Sequence, residues 1–252
     1  FPLLQDGLKT TSWCSTLFLL ASTYDQDMHA NPNNPSATNG TDQAWGGNRA
    51  RPDLVKKFFP NGNVPNLESY ATAEAAGDDR ALFCGVNRTL DNDDVSTFKS
   101  GFAVAKFTNF KTDGSAGHDA TFPDADYFLM RAAEAYLNFA EADARLNGGE
   151  TTAEGTAAIN AIRKRANAST RPEDKSYSLN DICDEWSREF YFEGRRRMDL
   201  IRFNRYGGNV NYNWQWKGGT KEGRNFSKDL NIFAIPTNEL TSNKNLIQNP
   251  GY

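Results

Sequence analysis

Two histidines, His29 and His118, are the only imidazoles in the 252 residues, and neither neighbours a serine or cysteine in a recognisable nucleophile setting. No Gly-x-Gly-x-x-Gly run and no P-loop is present, so the common nucleotide fingerprints are missing. The line Glu189, Glu193, Arg196 and Asp199, at spacings of four, three and three, has the makings of a catalytic carboxylate row. Each of its carboxylates has an arginine within one turn, and that pattern points instead to an ion-pair ladder fixing a helix in place. Glycoside hydrolysis needs only two carboxylates about 5 to 10 Å apart, which an acidic chain can assemble, so that alternative stays open.

Metal chemistry finds little support. Cys14, Cys84 and Cys183 are far apart and odd in number, giving neither a disulfide framework nor a zinc-type pair. Asp91-Asn92-Asp93-Asp94 starts like a calcium loop, but Val95 and Ser96 occupy the places of a ligand and of the turn glycine, and a solvated acidic turn is expected. Asp25 and Asp27 could touch a calcium ion, but the sequence does not favour it. No metal and no cofactor is expected.

Non-covalent sugar binding is better served. Sugar rings dock their flat C–H faces on aromatic rings while planar polar side chains meet the hydroxyls at the edge. Residues 24–51 are rich in Asn, Pro, Gly, Asp and Ser, a composition and length typical of a functional surface loop. Within it Trp45 is flanked by Asp42, Gln43, Asn48 and Arg49, with Gly46 and Gly47 permitting close approach, and Tyr24 opens the segment. Trp45 is expected either as a sugar platform or as a cap on the neighbouring helix core. The candidate ligand-binding set is Trp45, Tyr24, Asn48, Arg49, Asp42 and Gln43. Trp13 and Trp186 are expected in the core, and Trp214 and Trp216 as structural residues sharing one face of an extended segment.

A formal net charge of -4 argues against a nucleic-acid partner, because phosphate binding needs a basic face. The two basic clusters, Arg163-Lys164-Arg165 and Arg195-Arg196-Arg197, read as solvated or salt-bridged helix faces. No run approaches the roughly 18 apolar residues of a membrane span. The start, Phe1-Pro2-Leu3-Leu4-Gln5-Asp6, lacks a methionine and the features of a secretion signal, and reads as cut from something longer.

The elements that would carry these residues are mainly helical. Leu129, Ala133, Tyr136, Ala140 and Ala144 fall on one face of a helix over 127–147, with Glu141 and Arg145 paired at i, i+4. After the turn Gly148-Gly149, Thr151 and Glu154 form a capping-box pattern opening a second helix, with Ala158, Ile159, Ile162 and Ala166 inward. A third helix runs from Ser178, with Asp181 three residues on and Ile182, Trp186 and Phe190 as its stripe, through Gly194 to Phe203; the glycine implies close packing or a kink. Two helices joined by a Gly turn with small residues at their contact suit a tetratricopeptide-like unit, which needs further helices to cover it. Upstream, 17–22 reads as a short buried strand, 52–59 as a helix opened by Pro52, and 78–84 with 102–110 as paired extended segments.

Several of these stretches together resemble the SusD/RagB family of outer-membrane nutrient-binding lipoproteins. They are 126–142 (Asp126-Tyr127-Phe128-Leu129-Met130-Arg131 through Ala140-Glu141-Ala142), Ile159-Asn160-Ala161-Ile162-Arg163-Lys164-Arg165-Ala166, the 189–203 block, Trp214-Gln215-Trp216-Lys217-Gly218-Gly219, and the ending 233–252. Trp45-Gly46-Gly47, the helix over 54–59, Asp79-Arg80 and Ala103-Val104-Ala105-Lys106-Phe107 match more loosely. The match accounts for about the C-terminal half of a full-length member, without the lipidated cysteine and the N-terminal half that carries most of the helix pairs.

The resemblance implies a mainly α fold of tetratricopeptide-like helical hairpins with long irregular loops and a few short strands. Residues 1–124 would form a loop-rich ligand-binding region, and 125–252 a helical region with the family's C-terminal tail, in one continuous domain. It further implies a non-catalytic protein on the extracellular face of the outer membrane. Such a protein captures an oligosaccharide or polysaccharide for a SusC-type TonB-dependent transporter, and its membrane association runs through the missing lipidated N-terminus. A helical-repeat scaffold for protein partners and a glycoside hydrolase accessory domain are the alternatives.

Overall fold

A computed structural model describes residues 1–29, 38–208 and 210–252, so the part of the 24–51 segment at 30–37 lies outside the described residues. The chain forms two compact units, Phe1–Glu193 and Gly194–Tyr252. Strand β1 (Pro2–Leu3) leads to helices α1 (Thr16–Ala21), α2 (Gln26–His29) and α3 (Pro52–Val55), the last continued by a 3-10 turn at Lys56–Phe58. Helix α4 (Ser69–Ala76), the short strands β2 (Phe83–Cys84), β3 (Ala103–Val104) and β4 (Tyr127–Phe128), and helices α5 (Ala132–Leu146), α6 (Ala153–Arg165) and α7 (Leu179–Phe190) complete the first unit. The fold is mainly α, and among the described residues no helix is long and apolar enough to cross a membrane.

The expected strand over 17–22 is a helix instead. Ser15 caps it by accepting from the Leu17 amide, and Leu17, Leu20 and Ala21 are buried while Phe18 faces out. A six-residue apolar run carries no decisive period, and here a polar cap with a three-residue spacing of buried leucines prevails. Pro52 opens α3 as anticipated, sending Val55 and Phe58 into a cluster with Phe83, Phe102, Val104 and Tyr191. The extended segments do pair, but only over two residues each, antiparallel with Phe83 opposite Val104.

The long helix starts later than the periodicity suggested. Tyr127 and Phe128 pair with Leu3 and Pro2, so the backbone stays extended there and α5 begins at Ala132. Its inner face is Ala133, Leu137, Ala140 and Ala144, while Leu129 and Tyr136, both expected inward, are about half exposed at 48%. The Glu141–Arg145 pair forms at 2.8 Å. In α6 the cap is Thr152 rather than Thr151, which is buried with its hydroxyl 2.7 Å from that of Thr156. Ala158, Ile159, Ile162 and Ala166 face inward as expected, and α7 opens with a full capping box between Ser178 and Asp181.

Helix α7 does not run through Gly194. It ends at Phe190, and Phe192 (φ +61°) and Gly194 (φ +75°) take the left-handed conformation that stops it. In the second unit α8 (Arg196–Arg202) and α9 (Thr237–Ser242) are separated by 3-10 turns at Lys217–Gly219 and Lys228–Asn231. Trp214 packs against Tyr206, centroids 6.1 Å apart, with the buried Lys217 ammonium over its ring. The expected shared face with Trp216 is absent, because Trp216 adopts φ +68° and turns the chain.

Candidate ligand-binding site

The backbone after residue 44 closes the end of α1. The amide of Trp45 donates to Ala21 O at 2.8 Å, that of Gly46 to Tyr24 O at 2.8 Å, and that of Asn48 to Ser22 O at 2.9 Å. With the backbone spent in this way, the Trp45 ring is left 42% exposed. The main chain thus caps the helix end while the side chain faces water.

A second indole joins it. Trp13 was expected in the core, but it is 56% exposed, because it lies in a turn after Thr10-Thr11-Ser12 and its ring neighbours, Trp45 and Phe122, are themselves at the surface or half-buried. Its ring lies 6.3 Å from that of Trp45 at an interplanar angle of 32°, and the half-buried Phe122 meets it edge-on at 5.3 Å. Three rings from residues 13, 45 and 122 thus share one surface.

Polar groups at the edge are orderly. The Trp45 indole N–H donates to Gln43 Oε1 at 2.9 Å, the Gln43 amide donates to Asp42 Oδ1 at 2.8 Å, and the Thr121 hydroxyl donates to the Asp42 carboxylate at 3.0 Å. Asn48 spends its side-chain amide on Ser22 Oγ at 2.9 Å. Arg49 donates to Gly47 O at 2.8 Å within the loop and to Ser100 O at 2.7 Å, tying the loop to a distant segment of the chain.

Tyr24 requires a correction. It is fully buried among Met28, Ala44, Cys84, Ala103 and Ala105, and burial raises its phenol pKa. A ring with no exposed face cannot receive a sugar. Its opening position in a polar loop suggested exposure, but the returning strand β3 covers it.

The carboxylate row resolves as an ion-pair cluster, with partners drawn from across the first unit. Glu189 accepts from Arg80, Arg131 and Arg165, and Glu185 from Arg80, Arg163 and Arg188. Both carboxyls are almost wholly buried, which alone would raise their pKa, yet the surrounding arginines hold each at about 2. Groups so strongly ionised do not serve as general acids near neutral pH. Lys106 donates to Tyr191 O at 2.9 Å and to Glu193 Oε1 at 2.5 Å, and burial pushes its ammonium down to about 8 against the pull of Glu193. In the second unit Asp199 pairs with Arg195 and Arg202.

Asp25 and Asp27 face cations of the chain itself: Asp25 pairs with Arg88 at 2.7 Å and Lys99 at 2.9 Å, and Lys99 also meets Asp27. Among the described residues one group, Asp6, His118 and Asp124, brings metal-ligand atoms within 4.8 Å of one another. Its hydrogen bonds already anchor the loop bearing Phe122: Asp124 accepts from the Gly7 amide at 2.8 Å and the His118 amide at 2.9 Å. A polar cleft of about 730 Å³ runs past Asn66, Asn87, Thr89, Asp93, Thr97 and Lys99, and its lining includes no aromatic ring.

Comparison with known proteins bears on fold and family. The model of the SusD family matches residues 71–252. The starch-binding protein SusD of Bacteroides thetaiotaomicron is 36% identical over 282 aligned positions, covering 100% of this chain and 48% of that protein. The chain thus spans about half the length of the curated relative it matches. Among solved structures, a SusD-like protein from Bacteroides fragilis is similar with a TM-score of 0.60 at 19% identity, over 100% of this chain and 53% of the other. A SusD superfamily protein from Bacteroides vulgatus reaches 0.50 at 24% identity, over 73% of this chain and 38% of the other. Both structural likenesses concern the fold.

Proposed function

The chain belongs to the SusD family, and on that premise we propose that it binds an extracellular glycan without cleaving it, on the face formed by Trp13 and Trp45. The observation that carries this reading is the pair of indoles 6.3 Å apart, each about half exposed. Buried area is what stabilises most rings, and two neighbouring tryptophans left in water offer flat apolar surface for sugar C–H faces. Asp42 and Gln43 set the polar rim of that face, and Asn48 and Arg49 hold the loop beneath it. The similar starch-binding protein makes a glucan the first ligand to test.

In this reading residues 1–124 supply the ligand face and the helical region supplies the frame. The protein works at the extracellular side of the outer membrane, held by a lipidated N-terminal segment, and delivers its glycan to a SusC-type TonB-dependent transporter. Titration with a panel of soluble polysaccharides, following tryptophan fluorescence and heat while assaying reducing ends, tests the proposal. Saturable binding without new reducing ends is expected. Release of reducing ends, or no response across the panel, would overturn it.

A further inference from the structure

We infer that Thr121 is a positioning residue for the Trp45 indole, acting through Asp42 and Gln43 from a loop 79 residues further along the chain. The inference deepens the glycan-binding reading of that face and rests on it for its functional consequence. The Thr121 hydroxyl lies 3.0 Å from both oxygens of Asp42, and the Asp42 amide donates to Ala120 O at 2.7 Å, so the two segments are tethered twice. With its carboxylate so placed, Asp42 fixes the polarity of the Gln43 amide. The NH₂ group must face the carboxylate, at 2.8 Å, which turns Oε1 toward the Trp45 N–H at 2.9 Å. A reversed amide would set oxygen against carboxylate and N–H against N–H.

The same loop also reaches the other indole. Phe122, next in sequence to Thr121, meets the Trp13 ring edge-on at 5.3 Å, and Asp119 holds the turn by accepting from the amides of Thr121 and Phe122, each at 2.8 Å. One loop therefore governs the two rings, Trp45 by a relay of hydrogen bonds and Trp13 by contact. These groups are half-buried or exposed, so each bond competes with water and adds little to global stability. Their effect is to hold a half-exposed ring in one orientation before the ligand arrives, which lowers the entropy lost on binding. Asp42 and Gln43 thereby act on the ligand through Trp45.

The test follows the indole proton directly. In ¹H–¹⁵N spectra of the whole chain the Trp45 Nε1–H signal is assigned with Trp45→Phe, and its exchange with solvent is measured. Thr121→Val keeps the shape and removes the hydroxyl, and Thr121→Ser restores it. Expected are about three- to tenfold faster exchange of that proton in the valine variant, the equivalent of one neutral hydrogen bond, and recovery with serine. The Trp186 indole signal should stay unmoved. Affinity for maltoheptaose should fall and recover in parallel. Unchanged exchange in Thr121→Val, or weakened binding with no change in exchange, would overturn the relay. Failure of the wild type to bind any glycan would instead count against the proposed function, since the exchange measurement decides the relay without a ligand.

Discussion

The buried indole of Trp186 donates its N–H to Oε2 of Glu141 at 2.9 Å, joining α7 to α5 inside the first unit. The other oxygen of Glu141 accepts from Arg145, so the carboxylate is held between a core tryptophan and a surface arginine. Trp186→Phe retains most of the apolar volume and removes this donor. A loss of about 1.5 to 3 kcal/mol is expected, because the acceptor is charged and buried. Urea unfolding measures it, and a loss below about 0.5 kcal/mol would show that the bond contributes little.

The ion-pair cluster sets the acid limb of stability. Glu185 and Glu189 are ionised in the fold down to about 2, against an ordinary carboxyl at 4.5, because their arginines outweigh the burial that opposes ionisation. A folded pKa below the unfolded one means stability fully present above about 4.5 and lost as pH falls from there toward 2. The urea midpoint should hold between pH 7 and 5.5 with respect to these groups and drop below pH ~4.5. Glu189→Gln removes a buried carboxylate shared by Arg80, Arg131 and the exposed Arg165, while Asp78, Glu185 and Glu193 still face the first two, and should cost about 1.5 to 3 kcal/mol at pH 7. A midpoint flat down to pH ~3 would contradict this account.

Trp45→Ala and Trp13→Ala are expected to weaken glycan binding at least about tenfold each, the scale of losing a stacked ring. Both rings are exposed, so melting temperatures should change little. Because the rings touch, the double variant should lose less than the sum of the single losses. Calorimetry on the four proteins decides it, and full additivity would mean that the rings act on separate sugars without influencing one another.

Gly7 lies under the loop that presents Phe122. A methyl group there would fall 2.3 Å from Phe122 O, so Gly7→Ala must push that backbone away. The expected result is a weakened tryptophan signal in near-ultraviolet circular dichroism, as the Trp13 ring loses its edge-on Phe122 neighbour, with lower glycan affinity. A spectrum identical to the wild type would show that the loop yields elsewhere.

Gly194 adopts φ +75°, where a side chain is strained. Gly194→Ala should cost about 1 to 2 kcal/mol of stability, read from thermal unfolding. A stabilised variant would mean that the segment prefers to continue as helix once the glycine is gone.

Much of the helical frame was legible in the sequence. Ser178 does open the third helix, capped through Asp181; Ile182, Trp186 and Phe190 form the buried stripe, and the Gly148-Gly149 turn joins two helices whose contact uses small residues. Short-range signals suffice there, because a cap or a period involves residues within one or two turns. The strand read over 17–22 fails for the converse reason, since six apolar residues are too few to display a period.

The site was legible only in part. The polar, glycine-bearing context of Trp45 marked it, and Gln43 and Asp42 do lie beside it. Trp13 reads as core and Thr121 carries no signal, because what brings them there is contact with chain more than 30 and 70 residues away, with no local pattern to reveal it. Tyr24 looked exposed from its neighbours and is buried by a distant strand.

By itself the sequence determined the family, the helical hairpin and the absence of a recognisable nucleophile or nucleotide motif, all of which reside in local order along the chain. Tertiary structure alone decided which rings meet water and which arginines surround Glu185 and Glu189. Exposure and ion pairing are properties of groups far apart in sequence, and they come into being only when those groups are packed together.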